Sequence, residues 1–167
     1  MQKLFNLSGQ VAVITGGNGG IGRSIAIGLA EAGASVAIFG RNEDKNKKTL
    51  AELKAIGVKA MAVKIDITKR NELAPAIKKV GQELGDISIL VNNAGIAVLS
   101  GGILNEAEQD WDSVIETQLN AVFLLSKLVA KSMVENKSGK IINIGSMYSF
   151  FGSSFAPSYS AAKGAVI

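Results

Sequence analysis

Tyr159 and Lys163 stand four residues apart near the end of a 167-residue chain, in the stretch Ser158-Tyr159-Ser160-Ala161-Ala162-Lys163. On a helix, that spacing sets both side chains on one face. A lysine ammonium beside a tyrosine phenol favours the phenolate, so the hydroxyl can exchange a proton near neutral pH. Ser146 follows the run Lys140-Ile141-Ile142-Asn143-Ile144 and could place a hydroxyl nearby to hold a carbonyl oxygen. The chain has no cysteine and no histidine, which excludes disulfides, thiol and imidazole chemistry and nearly every zinc site. Proton transfer therefore falls to tyrosine, lysine or a carboxylate, and Tyr148 and Tyr159 are the two tyrosines present. A Tyr/Lys pair at this spacing also suits an ordinary helix face, so a second constellation has to decide.

That constellation is Val11-Ala12-Val13-Ile14-Thr15-Gly16-Gly17-Asn18-Gly19-Gly20-Ile21-Gly22-Arg23. A short apolar run breaks into glycines, and Ile21, Ile25, Leu29 and Ala32 then recur at intervals of three and four. The pattern predicts a buried strand, a tight turn and an amphipathic helix. Glycine admits positive φ and close approach of backbone to ligand, while the free N–H groups at a helix start attract a pyrophosphate. Two registers fit this phosphate cradle: Gly17, Gly19 and Gly22 in the common dinucleotide spacing, or Thr15, Gly16, Gly20 and Gly22 in a TGxxxGxG pattern.

The elements that must position these groups alternate along the chain. Strands are predicted at 11–14, 34–39, 59–65, 88–91 and 140–144. Helices follow each glycine or polar break, with Gly33 and Gly57 closing the first two, Thr68 capping the third and Pro75 giving it a late start or a kink. The longest helical pattern runs from Gln109 to Asn136, and a last helix begins near Ser158. Strand–helix alternation implies an α/β fold, a Rossmann-like doubly wound parallel sheet with helices on both faces, and by analogy the strand order 3-2-1-4-5. Ligands of such sheets lie beyond the carboxyl ends of the strands, where Gly16 to Gly22, Gly40-Arg41, Asp66, Asn92 to Gly95 and Ser146 converge.

With 47% apolar residues, the chain is expected to form a single domain, residues 1–167. The net charge is +4, and Lys45, Lys47 and Lys48 beside Glu43 and Asp44 read as a solvated face. There is no basic stripe with aromatic partners for nucleic acid. No apolar run of bilayer length is expected, and Met1 to Asn6 lacks the core of a signal peptide, so the expected setting is cytoplasmic, without a membrane partner.

Taken together, Thr15-Gly16 with Gly20 and Gly22, Asp66, Asn92-Asn93-Ala94-Gly95, Asn120, Ser146 and Tyr159-Ser160-Ala161-Ala162-Lys163 resemble the short-chain dehydrogenase/reductase family in order and spacing. The resemblance implies a catalytic set of Asn120, Ser146, Tyr159 and Lys163. Tyr159 would be acid in reduction and base in oxidation, and Lys163 would assist it and hold ribose hydroxyls. Ser146 would orient the substrate oxygen, and Asn120 would hold a water in the proton relay. It implies coenzyme contacts from Thr15, Gly16, Asn18, Gly19, Gly20, Ile21, Gly22, Arg41, Asp66, Ile67, Asn92, Asn93, Ala94, Gly95, Tyr159 and Lys163, and no metal. For Asn120 a polar residue bonding back to its helix, for Asp66 a cap on the approach to a helix, and for Asn92 to Gly95 a structural turn remain open.

Where a carboxylate ending the second strand would accept from the ribose 2′-OH of NAD, this chain has Gly40 and then Arg41. Arginine pairs with a 2′-phosphate, so NADP(H) is favoured and NAD(H) is possible. The segment 141–150 with Pro157-Ser158-Tyr159 is similar to sugar-acid members such as 2-deoxy-gluconate 3-dehydrogenases, which implies a sugar acid or polyol substrate. Family chains run to about 250 residues, so the chain is expected to stop within the helix carrying Tyr159 and Lys163, leaving the fifth strand as an uncovered edge and Lys163 near a fraying end. A homo-oligomer, dimer or tetramer, is expected of the longer chain. Three functions stay open: an alcohol/ketone oxidoreductase, a dinucleotide-binding module without turnover, and a non-catalytic associating protein.

Overall fold

The structure, a computed structural model, describes residues 5–167; residues 1–4, part of the start read above as lacking a signal peptide, lie outside them. Strands β1 (Val11–Thr15), β2 (Ser35–Gly40), β3 (Ala60–Lys64), β4 (Ile89–Asn92) and β5 (Lys140–Asn143) form one parallel sheet in the order β3-β2-β1-β4-β5. This is the expected order. Every residue of β1 and β4 is buried, as central strands covered on both faces must be. Helices α1 (Gly20–Glu31) and α2 (Glu43–Ala55) cover one face, where Ala26, Ala30 and Leu53 meet Ile14, Val36, Ile38 and Val91. Helix α3 (Arg70–Leu84) covers the other, where Leu73 and Val80 meet Val13, Phe39 and Leu90, joined by Leu125 and Val129 of the long helix.

The structure corrects several local expectations. The core face of α1 is Gly22, Ala26 and Ala30, not the stripe begun by Ile21, which is 66% exposed. Small residues at intervals of four let the helix backbone sit close to the sheet, and the larger Ile25 and Leu29 pack at its flank. Helix α3 starts at Arg70 with no side-chain cap, and Thr68 instead donates its hydroxyl to Asp66. Pro75 lies inside α3, and the helix runs on through it.

The long helix is three pieces end to end: α4 (Glu108–Ile115), a π turn (Glu116–Asn120) and α5 (Ala121–Glu135). Contrary to the expectation for membrane-length segments, these 28 residues are long and apolar enough to cross a bilayer. Val114, Ala121, Leu125, Val129 and Met133 are nevertheless buried in the domain while Lys127 and Lys131 face outward. β5 is the sheet edge, as expected, with Ile141 39% and Ile142 45% exposed.

Candidate active site

The turn after β1 is built on two glycines in the left-handed region, Gly16 (φ 65°) and Gly20 (φ 48°). At Gly22, a Cβ would run into the Gly16 carbonyl and the Asn93 side-chain amide, so only glycine lets α1 begin this close to the loop. The Thr15 hydroxyl binds the ends of β1 and β4 together. It accepts from the Asn93 and Ala94 N–H groups, both at 3.0 Å, and donates to the Val91 carbonyl at 3.4 Å. Asn93 Nδ2 donates to the Thr15 carbonyl at 2.9 Å. The polar residues of this segment therefore form a rigid floor.

Above that floor lies a cleft lined by Gly16, Asn18, Phe39, Gly40, Arg41, Ile65, Asp66, Ile67, Ala94, Gly95, Ile96 and Thr117. Eight of the residues singled out in the sequence thus come together: Gly16, Asn18, Arg41, Asp66, Ile67, Ala94, Gly95 and, as the glycine that makes room before Arg41, Gly40. Gly19, Gly20, Ile21 and Gly22 form the helix start beside it. Asp66 accepts from the Thr68 N–H at 3.1 Å and hydroxyl at 2.8 Å. Burial opposes its ionisation, but these bonds and the nearby Arg41 and Lys69 outweigh that and hold its carboxyl below the ordinary range. Asn92 does not reach the cleft with its side chain, which is buried and donates to Ser126 and Asn143.

Past β5, Met147–Ser149 makes a single 3₁₀ turn and leads to α6 (Pro157–Val166). Tyr159 and Lys163 share a face of α6, with the ammonium 5.8 Å from the ring centre. Lys163 is 6% exposed, and its Nζ donates to the Ile144 carbonyl at 2.6 Å. Burial pushes its pKa below the ordinary lysine value. The helix has not frayed there, because Ser149 Oγ donates to the Lys163 carbonyl at 2.7 Å. Ser146 Oγ accepts from the Tyr148 N–H at 3.2 Å, which leaves the serine proton free for another acceptor. The Tyr148 ring meets that of Tyr159 edge to face, with centroids 5.9 Å apart.

The start of α6 is held from outside. Glu106 accepts from the Ser158 N–H and, through a very short bond, from the Ser158 hydroxyl. The Gly101 N–H donates to the Phe155 carbonyl at 3.3 Å, tying the loop after β4 to the loop before α6. Leu99, Leu104, Phe150, Phe151 and Phe155 are exposed along these two loops.

Asn120 is bonded within its own turn. Its amide donates to Glu116 at 2.6 Å, and Glu116 is gripped by Arg70 of α3 through two bonds of 2.7 and 2.8 Å. The arginine hydrogen bond, helped by Asn120, lowers the Glu116 carboxyl's pKa against the effect of burial. The Asn120 amide nitrogen is thus engaged by a carboxylate one turn back on its own helix, the local bonding that the sequence left open beside a water-holding role.

The sequence model for the short chain dehydrogenases matches residues 10–167. The chain belongs to that family. It is similar to 2-dehydro-3-deoxy-D-gluconate 5-dehydrogenase of Formosa agariphila, 40% identical over 162 residues, which are 96% of this chain and 61% of the relative. Among solved structures it is similar to a metagenomic short-chain oxidoreductase in complex with NADP (34% identity, TM-score 0.92, 96% of this chain and 72% of that one). It is also similar to an NAD+-bound xylitol dehydrogenase (29% identity, TM-score 0.92, 98% and 62%). The chain spans about three fifths of the length of the curated relatives it matches.

In this member of the family, sequence reasoning missed Gln118, which sits in the π turn and is 1% exposed. Its Nε2 donates to the Ile96 carbonyl at 2.7 Å, and its Oε1, buried without a partner, packs on Gly95. A glutamine four residues after buried Val114 and three before buried Ala121 is a polar group on a core face. That placement was the available signal, because such a group needs a partner supplied by the fold.

Proposed function

We propose that the protein is an NADP-dependent oxidoreductase that interconverts a secondary alcohol and a ketone on a sugar acid or polyol, with NAD as the second coenzyme. The observation that carries this is the buried Lys163 ammonium beside the Tyr159 ring, on the helix that follows the Ser146 hydroxyl. The relatives named for a sugar-acid dehydrogenase and a xylitol dehydrogenase support the substrate class.

The residues present suit a dinucleotide. Glycines open the loop where a Cβ at Gly22 would close it. The α1 N-terminus, Gly19 to Gly22, would take the pyrophosphate. Arg41 would meet the 2′-phosphate, Asp66 and Ile67 the adenine, and Asn93 to Gly95 the floor, with Thr15 and Asn92 acting as braces behind it. When bound, the nicotinamide supplies the hydride acceptor or donor.

The protein side is proton handling and position. In reduction Tyr159 gives its hydroxyl proton to the substrate oxygen, and in oxidation it takes that proton back. Lys163 uses one of its three N–H donors on Ile144 and keeps the others for ribose hydroxyls and for negative charge on the tyrosine oxygen. Ser146 donates its free proton to the same substrate oxygen and stabilises developing charge there. A cytoplasmic homo-oligomer belongs to the same reading, and the exposed Phe123 and Val134 on α5 support the association.

The test is Tyr159→Phe. Turnover of sugar acids and polyols should be abolished while the NADPH dissociation constant stays within a few-fold of wild type. A variant that retains most of its activity overturns the assignment.

A further inference from the structure

Helix α2 carries an amide where a core residue would be expected. Its buried residues are Asn46, Thr49 and Leu53, and Asn46 is 3% exposed. A buried amide destabilises a fold unless both of its ends are bonded, and here both are. Asn46 Nδ2 donates to the Gly40 carbonyl at 2.9 Å, and its Oδ1 accepts from Asn18 Nδ2 at 2.7 Å. Asn18 Nδ2 also reaches the Asn42 carbonyl at 3.3 Å. One clamp thus joins the glycine loop, the end of β2 and the first turn of α2.

The clamp lies across Gly40. A Cβ at that position would come within 2.6 Å of both Asn18 Cγ and Asn46 Oδ1, and closer still to Asn18 Nδ2. Any side chain at position 40 would therefore have to displace this hydrogen-bonded pair of amides, whereas the φ of Gly40, outside the left-handed region, does not itself require glycine. The neighbouring Arg41 faces the cleft, and a carboxylate at position 40 would be the group that accepts from an unphosphorylated ribose 2′-OH.

We propose that Asn46 is a positioning residue for coenzyme choice. Paired with Asn18 over Gly40, it denies position 40 a side chain and leaves Arg41 to meet the 2′ position. Selection then has an attractive part, Arg41, and an exclusive part, the clamp. This rests on the dinucleotide reading above.

The experiment measures NADPH and NADH dissociation constants by fluorescence titration, with thermal midpoints alongside. Gly40→Asp alone should weaken NADPH by about tenfold or more and gain nothing for NADH, because the clamp blocks the aspartate. In an Asn18→Gly/Asn46→Ala background, the same aspartate should bind NADH at least about fivefold better than Gly40→Asp alone. Asn18→Ala and Asn46→Ala should each lower the NADPH-to-NADH preference, and the double variant should lower it no further than the larger single, as coupled residues do. Asn18→Ala leaves the buried face of α2 intact and so guards against a misfolded Asn46 variant. A clamp that only stabilises the fold would lower the midpoint and leave the preference unchanged. That result, or an NADH gain from Gly40→Asp alone, overturns the inference while NADPH binding by wild type keeps the parent reading. Wild type that binds neither coenzyme sinks both.

Discussion

Two of the three glycines in helix α1, Gly22 and Gly28, make opposite predictions. At Gly22 an added Cβ meets the Gly16 carbonyl and the Asn93 amide, both parts of the rigid floor, whereas at Gly28 it meets nothing within 4 Å. Alanine is favoured over glycine in a helix by roughly 0.5–1 kcal/mol, so Gly28→Ala should stabilise by about that amount. Gly22→Ala starts with a similar or smaller gain but forces backbone apart, an overpacking cost of about 1–3 kcal/mol. It also loosens the bond from Asn93 to the Thr15 carbonyl, a further loss of about 0.5–1.5 kcal/mol. The two variants should therefore differ by about 2–4 kcal/mol, with opposite signs relative to wild type. Urea unfolding followed by the fluorescence of Trp111 reads this directly, provided the slopes agree. NADPH binding should weaken in Gly22→Ala and stay unchanged in Gly28→Ala. Two alanine variants that shift stability in the same direction would refute the idea that the Gly22 contact decides how α1 seats.

Further outcomes follow from the site. Thr15→Val should destabilise by roughly 1–3 kcal/mol in urea melts, because the part-buried Asn93 and Ala94 N–H groups lose their acceptor, and Thr15→Ser should restore most of it. For Lys163, the folded-state pKa lies below the ordinary 10.5. Between those two values the unfolded chain holds more protons, so stability from this group rises with pH; urea midpoints against pH should rise less steeply in Lys163→Met. Arg70→Ala releases Glu116, whose carboxyl is held below the ordinary 4.5. The stability it removes should be present at neutral pH and absent once pH falls below the folded-state pKa, as read by melts at pH 7 and pH 3. Arg41→Ala should weaken NADPH far more than NADH in the same titrations, and equal losses would show that Arg41 does not read the phosphate.

The strand positions within a residue or two and the glycine loop were legible because they depend on local pattern: apolar runs, glycine punctuation and alternation; the sheet order came by analogy with doubly wound folds. The Tyr159 and Lys163 pairing was legible from a spacing of four. What stayed hidden depends on contacts between distant segments. Ile21 looked like a core residue because periodicity counts size, whereas α1 packs through Gly22, Ala26 and Ala30. Asn120 and Gln118 are two residues apart in a turn with π geometry, and which one faces inward is settled by packing against the sheet and α6. Thr68 looked like a helix cap, but its hydroxyl found the Asp66 carboxylate first. The Asn18 and Asn46 pair spans 28 residues, beyond the reach of any single window of sequence.

The joined loops after β4 and before α6 bear on how freely α6 can move. Because Gly101 is bonded to Phe155 and Glu106 to Ser158, the two segments cannot swing separately without breaking the anchor of the helix that carries Tyr159. A displacement of either segment is in this way mechanically geared to the seat of α6, and so to Tyr159 and Lys163 upon it.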